Sequence, residues 1–246
     1  MADGLEAAYP RALSGAPVQQ LPSGLIPSRV ALEGRVVRLE PLNPGTHAAE
    51  LHQASHGSEE ALRIWDYLPY GPWPNAAAFE LWLRDGAASF DPIVFAIRSL
   101  RTGNACGMAS FMDIHARNGV IEIGGIWFGR ELQRTRGATE ALFLMLRHAM
   151  GDLRYRRMQW RCNSLNVKSR NAARRLGFRF EGIFYNHLIF KGKNRDTAWY
   201  SILDDEWPEV GAIIESWLRE ENFSADGKAR RSLAEMMQER TPSRRS

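Results

Sequence analysis

The chain of 246 residues has only two cysteines, Cys106 and Cys162. Two thiols are too few for a disulfide framework or a thiolate metal cage, so we interpret them as buried and inert rather than redox-active or catalytic. No run of about 18 apolar residues occurs, and no transmembrane helix is expected. The first residues also lack a basic segment followed by an apolar core, so we predict a cytoplasmic protein without a secretory signal.

The composition is that of an ordinary globular protein, with 44% apolar and 24% charged residues. This length permits one large or two small domains with a full core. The net charge of +4 is uneven, because residues 223–246 contain six Arg or Lys against three Asp or Glu. We interpret this stretch as a solvated tail. Contact with nucleic acid or an anionic surface is the less favoured alternative, since no basic face interleaved with aromatic residues accompanies it.

Three segments are predicted. Residues 1–34 carry Pro10, Pro17, Pro22 and Pro27 and are expected to form an extended or poorly ordered arm. Residues 35–221 alternate between strand and helix patterns and form the predicted domain, and residues 222–246 form the basic tail. Apolar periodicity predicts strands at 35–42, 93–99, 106–114, 120–128, 157–162, 180–190 and 197–203, and helices at 44–56, 76–88, 135–150, 166–176 and 206–221. Crossover helices and hairpins together indicate a mixed α/β sheet around one core.

The chain is organised around residues 122–141, which begin as an apolar strand and end as the first turn of an amphipathic helix. A short basic loop at 133–138 joins the two. The main-chain N–H groups at a helix start and the positive end of the helix dipole both favour anions. This arrangement predicts a phosphate-bearing cofactor held mainly by the backbone.

Two blocks of residues resemble the GCN5-related N-acetyltransferases. Gln133-Arg134-Thr135-Arg136-Gly137-Ala138 is similar to the Gln/Arg-x-x-Gly-x-Gly/Ala loop of that family. The second block is Asn166, Ser169, Gly177-Phe178 and Glu181-Gly182, at the spacing of the ribosomal-protein alanine acetyltransferase branch (RimJ and RimL). The resemblance covers about residues 34–207. It implies a mixed, mostly antiparallel sheet of about seven strands with four to five helices.

The resemblance also implies an activity. Members of the family pass the acetyl group of acetyl-CoA directly to a primary amine, so the expected acceptor is a protein N-terminus, an amino acid or another small amine. No metal is required, and a homodimer is left open. Two departures favour the alternative of a non-catalytic acyl-CoA-binding or regulatory module. Arg136 stands at the family's central glycine, and Ala173 stands where many relatives have a tyrosine that serves the leaving thiolate.

Glu122 is the predicted general base. It lies eleven residues before Gln133, the spacing of the base glutamate in the histone-acetylating branch. In an otherwise apolar strand, desolvation favours a basic carboxylate. A solvent-facing or arginine-paired glutamate is the alternative, and His187 and Glu181 are fallback bases.

The oxyanion that forms during attack needs a hydrogen-bond donor. The resemblance places that donor in the main chain of Ile126, Trp127 and Phe128, where Gly124-Gly125 is compatible with a bulge. The same glycines are also compatible with simple relief of crowding.

The leaving thiolate also needs a donor. The resemblance assigns it to Ser169, whose hydroxyl is alternatively an ordinary first-turn helix contact. Asn166 is predicted to cap that helix and to bind the pantetheine amide.

The remaining predicted contacts divide between cofactor and acceptor. The cofactor is assigned to Gln133, Arg134, Thr135, Arg136, Gly137, Ala138 and Thr139. Its pyrophosphate is expected on the N–H groups of residues 134–139, with charge from Arg134 and Arg136, although Arg136 pointing to solvent is an equally supported alternative. A basic helix with Lys168, Arg170, Arg174 and Arg175 is expected near the 3′-phosphate and adenine, unless these side chains are simply solvated. The acceptor pocket is assigned to Tyr67, Tyr70, Trp73, Tyr185 and His187. For the aromatic run at 65–74, packing in the core is an equally supported interpretation.

Overall fold

The computed structural model describes Arg11 and residues 13–18, 21–22 and 24–240. These described residues form an eight-stranded, mostly antiparallel sheet and seven α-helices, which confirms the predicted mixed α/β fold. The predicted arm at residues 1–10, 12, 19–20 and 23, and the predicted tail at 241–246, lie outside the described residues. Among the described residues, no helix is long and apolar enough to cross a membrane.

The strands are β1 (Leu32–Glu33), β2 (Val37–Pro41), β3 (Ile93–Ser99), β4 (Ala105–His115), β5 (Val120–Phe128), β6 (Arg157–Asn163), β7 (Arg179–Phe190) and β8 (Lys193–Leu203). The helices are α1 (Pro44–His56), α2 (Glu59–Leu62), α3 (Ala76–Ala88), α4 (Arg136–Leu146), α5 (Val167–Arg175), α6 (Trp207–Trp217) and α7 (Leu233–Gln238). The predictions missed β1 and α2, because two and four residues are too short to show a periodicity.

The described chain divides into two compact units. The β1–β5 unit contains residues 26–114 and 121–149, and its strands follow the order β1-β2-β3-β4-β5. β3 is an almost continuous apolar run and is buried along nearly its whole length, as expected for a strand covered on both faces. α1 and α3 pack against each other, with Leu51, Phe79 and Leu83 in the core of this unit.

The β6–β8 unit contains the described parts of residues 1–25, together with 115–120 and residues from 150 onward. Its strands follow the order β6-β8-β7. β7 and β8 form the predicted hairpin, although its turn is shorter than expected. Lys191 and Gly192 alone connect the strands, with φ of 46° and 73°, the left-handed conformation that a two-residue hairpin turn requires.

The segment assigned to the C-terminal tail is folded as far as it is described. Leu233 and Met237 on α7 are buried, and the Trp217 indole N–H donates to the Arg231 carbonyl over 2.9 Å. Arg240 forms an ion pair with buried Glu206 at 2.9 Å. The expectation of a solvated tail therefore does not hold for these residues, whereas the segment boundaries at 34 and 221 stay predictions.

Candidate functional site

β5 contains the irregularity that the sequence predicted. Gly125 has a φ of 60°, a left-handed conformation that glycine tolerates and that is compatible with the predicted bulge. A Cβ at Gly124 would lie 2.2 Å from Met112 Sδ, so crowding also favours a glycine there.

Glu122 lies two residues before the pair and is 2% exposed. Its Oε1 is 3.0 Å from the point that a Cβ at Gly124 would occupy, so the carboxylate and Gly124 share one face of β5. The alternative of a solvent-facing strand residue is therefore wrong. Trp127, by contrast, points its side chain into the aromatic core, and Ile126 and Phe128 are half-buried.

The basic loop leads into the start of α4 as predicted. Thr135 is the N-cap, and its hydroxyl accepts a hydrogen bond from the Ala138 N–H. The Gln133 side chain donates to the Phe128 carbonyl over 2.8 Å and so closes the end of β5. The first turn of α4 contains no acidic side chain, so the positive end of the helix dipole is not neutralised there.

Arg136, at the position of the family's central glycine, carries no backbone strain. It is the first residue of α4 and is right-handed, whereas Arg134 has a φ of 63°. A left-handed arginine costs about 1 kcal/mol relative to glycine. The strain in this loop therefore lies two residues before the position of the family's glycine.

Packing explains the glycine at position 137, one residue after the position of the family's central glycine. A Cβ at Gly137 would lie 2.9 Å from Val37 Cγ1 and 3.1 Å from Leu132 Cδ2. α4 therefore needs glycine at this position to approach β2. Thr139, which was assigned to the cofactor, is fully buried in the same helix.

Glu140 is a residue whose role the sequence did not reveal. It is 4% exposed, and its carboxylate accepts hydrogen bonds from the N–H groups of Arg35, Val36 and Val37 at 3.0, 2.7 and 3.0 Å. It thereby fixes the start of β2 against α4. In the sequence, the only feature that marks Glu140 is its position three residues, about one helical turn, after Gly137.

The aromatic side chains of the run at 65–74 differ in their surroundings. Trp65 is 1% exposed and contacts Trp127, with ring centroids 5.5 Å apart, so it belongs to the core. Tyr70 instead reaches the bulge, because its hydroxyl lies 3.2 Å from the point that a Cβ at Gly125 would occupy. Burial raises the pKa of Tyr70 to about 12, so its hydroxyl stays protonated. Trp73 packs on Trp65, and Tyr67 is exposed.

His56 is a second residue that the sequence did not single out. Its Nε2 accepts a hydrogen bond from the Trp73 N–H at 3.1 Å, and its Nδ1 lies 2.8 Å from Ser55 Oγ. Burial and the neighbouring His52 lower the pKa of His56. A neutral imidazole therefore fixes the end of the aromatic run.

In the β6–β8 unit, the start of α5 confirms the predicted cap. The Asn166 side chain accepts a hydrogen bond from the Ser169 N–H at 3.1 Å. The Ser169 hydroxyl accepts a hydrogen bond from the indole N–H of Trp160, also at 3.1 Å. The structure thus brings Asn166 and Ser169 together with Trp160, which the sequence did not single out.

The basic side chains of α5 differ in their surroundings. Arg170 donates to the Ser164 carbonyl at 2.9 Å and to the Tyr200 hydroxyl at 3.3 Å, so it supports the loop before α5. Arg175 lies over the Trp217 ring, and burial lowers its pKa. Lys168 is exposed, as a phosphate contact requires.

The hairpin residues also differ from one another. Tyr185 is 76% exposed on β7, whereas His187 is half-buried and its Nδ1 lies 3.0 Å from Thr197 Oγ1. Glu181 accepts hydrogen bonds from Arg157 and Ser201. Burial alone would raise the pKa of Glu181, but the hydrogen bonds from Arg157 and Ser201 outweigh it and lower the pKa. This makes Glu181 a poor base.

Neither a metal nor a reactive thiol is indicated within the part of the chain that the structure describes. No group of three or more His, Cys, Asp or Glu residues there is arranged to hold a metal ion. Both cysteines are buried and neither forms a disulfide, and burial raises the pKa of the Cys106 thiol to about 12. A cavity of about 170 Å³ in the β6–β8 unit is lined by Arg11, Arg179, Phe180, Glu181, Ser201, Leu203 and Glu206. The Arg and Glu residues of this lining are engaged in ion pairs. Among the lining residues, only Glu181 has a predicted chemical role.

Residues 37–179 match the family model of the acetyltransferase (GNAT) domain, which is more than half of the chain. The chain belongs to this family. The match covers the bulged β5, the loop before α4 and the start of α5. It confirms the resemblance inferred from the two sequence blocks.

Similarity to individual GNAT proteins agrees with the family assignment. A protein of Bacillus subtilis (strain 168) named "Putative ribosomal N-acetyltransferase YdaF" is 32% identical over 108 residues, which is 44% of this chain and 58% of that protein. The match thus spans little more than half the length of that relative.

Solved structures of GNAT proteins extend the likeness over more of the chain. A GCN5-related N-acetyltransferase from Brucella melitensis has 44% identity and a TM-score of 0.84, covering 87% of this chain and 96% of that one. A structure titled as a "probable acetyltransferases (GNAT family)" from Chromobacterium violaceum ATCC 12472 has 37% identity and a TM-score of 0.71. It covers 80% of this chain and 100% of that one.

Proposed function

We propose that this protein is an acetyl-CoA-dependent N-acetyltransferase that transfers an acetyl group directly to a primary amine. The observation that carries the proposal is the start of α4. Thr135 caps that helix, Arg134 and Arg136 flank its first turn, and no acidic residue opposes an anion there. A pyrophosphate fits such a helix start.

The first task of the protein is to bind and orient the donor. Main-chain N–H groups in the first turn of α4 hold the pyrophosphate, and the guanidinium groups of Arg134 and Arg136 add charge. Lys168, exposed on α5, is available to the 3′-phosphate. When bound, acetyl-CoA supplies a thioester as the acyl donor.

Glu122 has the second task, to take a proton from the acceptor. An alkyl ammonium with a pKa near 10 leaves only about one molecule in a thousand as free amine at pH 7, a handicap of roughly 4 kcal/mol. A buried carboxylate beside a bulge can remove the proton directly or through water. Glu122 is the buried carboxylate on β5 that meets this need.

Two further groups stabilise charge during transfer. A main-chain N–H of Ile126, Trp127 or Phe128 donates to the thioester oxygen as it becomes negative, and the left-handed φ of Gly125, which departs from regular strand geometry, supports this placement. The Ser169 hydroxyl donates to the sulfur as the C–S bond breaks. These donors lower the barrier because they are fixed before the reaction begins.

The favoured acceptor is the N-terminal amine of a protein. The support is the name of the Bacillus subtilis relative, which describes a ribosomal N-acetyltransferase. Tyr67 and Tyr185 are exposed aromatic residues suited to contact a peptide, and Tyr70 places a hydroxyl beside the bulge. A small amine is the other candidate for the same chemistry.

The test combines binding with turnover. We expect acetyl-CoA to bind with a Kd in the micromolar range and thiol release to require an amine. Peptides with free N-termini should react faster than free amino acids or polyamines. No binding at millimolar acetyl-CoA would overturn the proposal, and binding without thiol release from any amine would favour the non-catalytic module.

A further inference from the structure

Buried Trp160 and half-buried Ser169 form a side-chain pair that the proposed reaction does not by itself explain. Trp160 lies on β6, is 4% exposed, and packs edge-on against Phe178. Its indole N–H donates to the Ser169 hydroxyl over 3.1 Å. The hydroxyl is therefore held from one side by a rigid donor.

The chemistry of the indole determines which role is left to the hydroxyl. An indole N–H can only donate, so it uses a lone pair of Ser169 Oγ and leaves the hydroxyl hydrogen for another acceptor. The Ser169 main chain is fixed separately, because its N–H donates to Asn166 Oδ1. Both the position of the oxygen and the direction of its hydrogen are thus restricted.

We propose that Trp160 is a positioning residue for Ser169. This inference rests on the proposed function, in which the Ser169 hydroxyl serves the departing sulfur. As the C–S bond breaks, its electron pair moves to sulfur, and the hydroxyl donates a hydrogen bond to the thiolate while Ser169 keeps its proton. By occupying the lone pair, Trp160 makes the hydroxyl act as a donor.

The contact between Trp160 and Ser169 offsets a departure from the family pattern at position 173. Ala173 stands where many relatives have a tyrosine for the leaving thiolate, and in this structure Ala173 is fully buried. A phenol has a defined O–H direction, whereas a serine hydroxyl rotates freely unless a partner holds it. Trp160 supplies that partner.

A matched control exists in the same unit. Trp217 is 6% exposed, and its indole N–H donates to the Arg231 carbonyl over 2.9 Å. Trp217→Phe and Trp160→Phe each remove a buried indole N–H. In Trp217→Phe the hydrogen bond that is lost goes to the main-chain carbonyl of Arg231 rather than to the Ser169 hydroxyl. The two changes should cost similar stability, so any difference in kinetics reports on Ser169.

The first experiment is a double-mutant cycle on thiol release. Ser169→Ala should lower kcat about 10²-fold, the usual contribution of a positioned hydrogen-bonding group, and Trp160→Phe about tenfold. In the Ser169→Ala background, Trp160→Phe should change kcat less than about twofold, because the two act as one unit. The Kd for acetyl-CoA should stay within about threefold, and Trp217→Phe should leave kcat unchanged. Additive losses in the cycle would overturn the proposal.

The second experiment does not depend on turnover. With ¹⁵N-labelled tryptophan, the Trp160 indole resonance should shift in Ser169→Ala. Its chemical shift should also change when CoA binds, and change less when desulfo-CoA binds. In Ser169→Ala the two ligands should give the same change. The Trp217 resonance should not change. If CoA binds and Trp160 does not distinguish the two ligands, this inference is wrong while the proposed function stands; absence of CoA binding contradicts the proposed function itself.

Discussion

Two glutamates of the β1–β5 unit are almost equally buried but lie in different parts of the fold. Glu122 on β5 is 2% exposed and shares a face with Gly124, next to the left-handed Gly125. Glu140 on α4 is 4% exposed, and its carboxylate accepts three main-chain N–H groups at the start of β2. Burial alone therefore does not identify a base.

The two glutamates differ in the role that we assign to the carboxylate charge. Three N–H donors stabilise the charged form of Glu140 and use its acceptor capacity within the fold. For Glu122 we propose a chemical role instead, because its carboxylate shares a face of β5 with Gly124 and lies near Gly125, whose left-handed φ departs from strand geometry. The comparison therefore sets the observed structural role of Glu140 against the role of base that we propose for Glu122.

The largest effect is expected for Glu122→Gln. Loss of the base should lower kcat by about 10²-fold or more at pH 7, with little change in acetyl-CoA binding. The deficit should shrink as pH rises toward 10, because the acceptor amine then loses its proton without help. Steady-state thiol release between pH 6 and 10 measures both the deficit and its slope.

Glu140→Gln is the control for that measurement, since it also neutralises a buried glutamate of the same unit. Its kcat per folded molecule should stay within about twofold of the wild type. A parallel pH-dependent loss in both variants would break the comparison, because it would indicate a shared effect on folding or packing.

Glu140→Gln should instead reduce stability. An amide presents an N–H group to donors that need an acceptor, so at least one main-chain N–H near Val36 loses its partner. The free energy of unfolding should fall by about 2 kcal/mol. Urea denaturation measures it, with Glu80→Gln on the exposed face of α3 as a control expected to cost under about 0.5 kcal/mol.

Sequence patterns predicted the fold because its elements are long and periodic. α1, α3, β3 and β5 have the bounds that apolar spacing indicated. The cap at Asn166 also followed from local chemistry, since its side chain acts on a residue three positions ahead.

The side-chain roles that the sequence did not reveal depend on residues elsewhere in the chain. Glu140 contacts a strand about one hundred residues earlier in the chain, and the His56 ring accepts from the Trp73 main chain. The packing of Gly137 on Val37 likewise cannot be read from either residue alone. Without knowledge of which segments meet, these side chains resemble ordinary surface or core positions.

The smallest effect is expected for Glu181→Gln. This variant tests whether the fallback base Glu181 has a chemical role, as we propose for Glu122, or a structural role like that of Glu140. Hydrogen bonds from Arg157 and Ser201 outweigh burial and hold the pKa of Glu181 below its usual value of 4.5. Its charged form therefore contributes stability above about pH 4.5, and this contribution is lost as pH falls through the lowered pKa. Because the side chain is 38% exposed, the difference from wild type should stay under about 1 kcal/mol at pH 7 and shrink further at pH 3.5. Thiol release at pH 7 should be unchanged within about twofold; a loss as large as that of Glu122→Gln would transfer the role of base to β7.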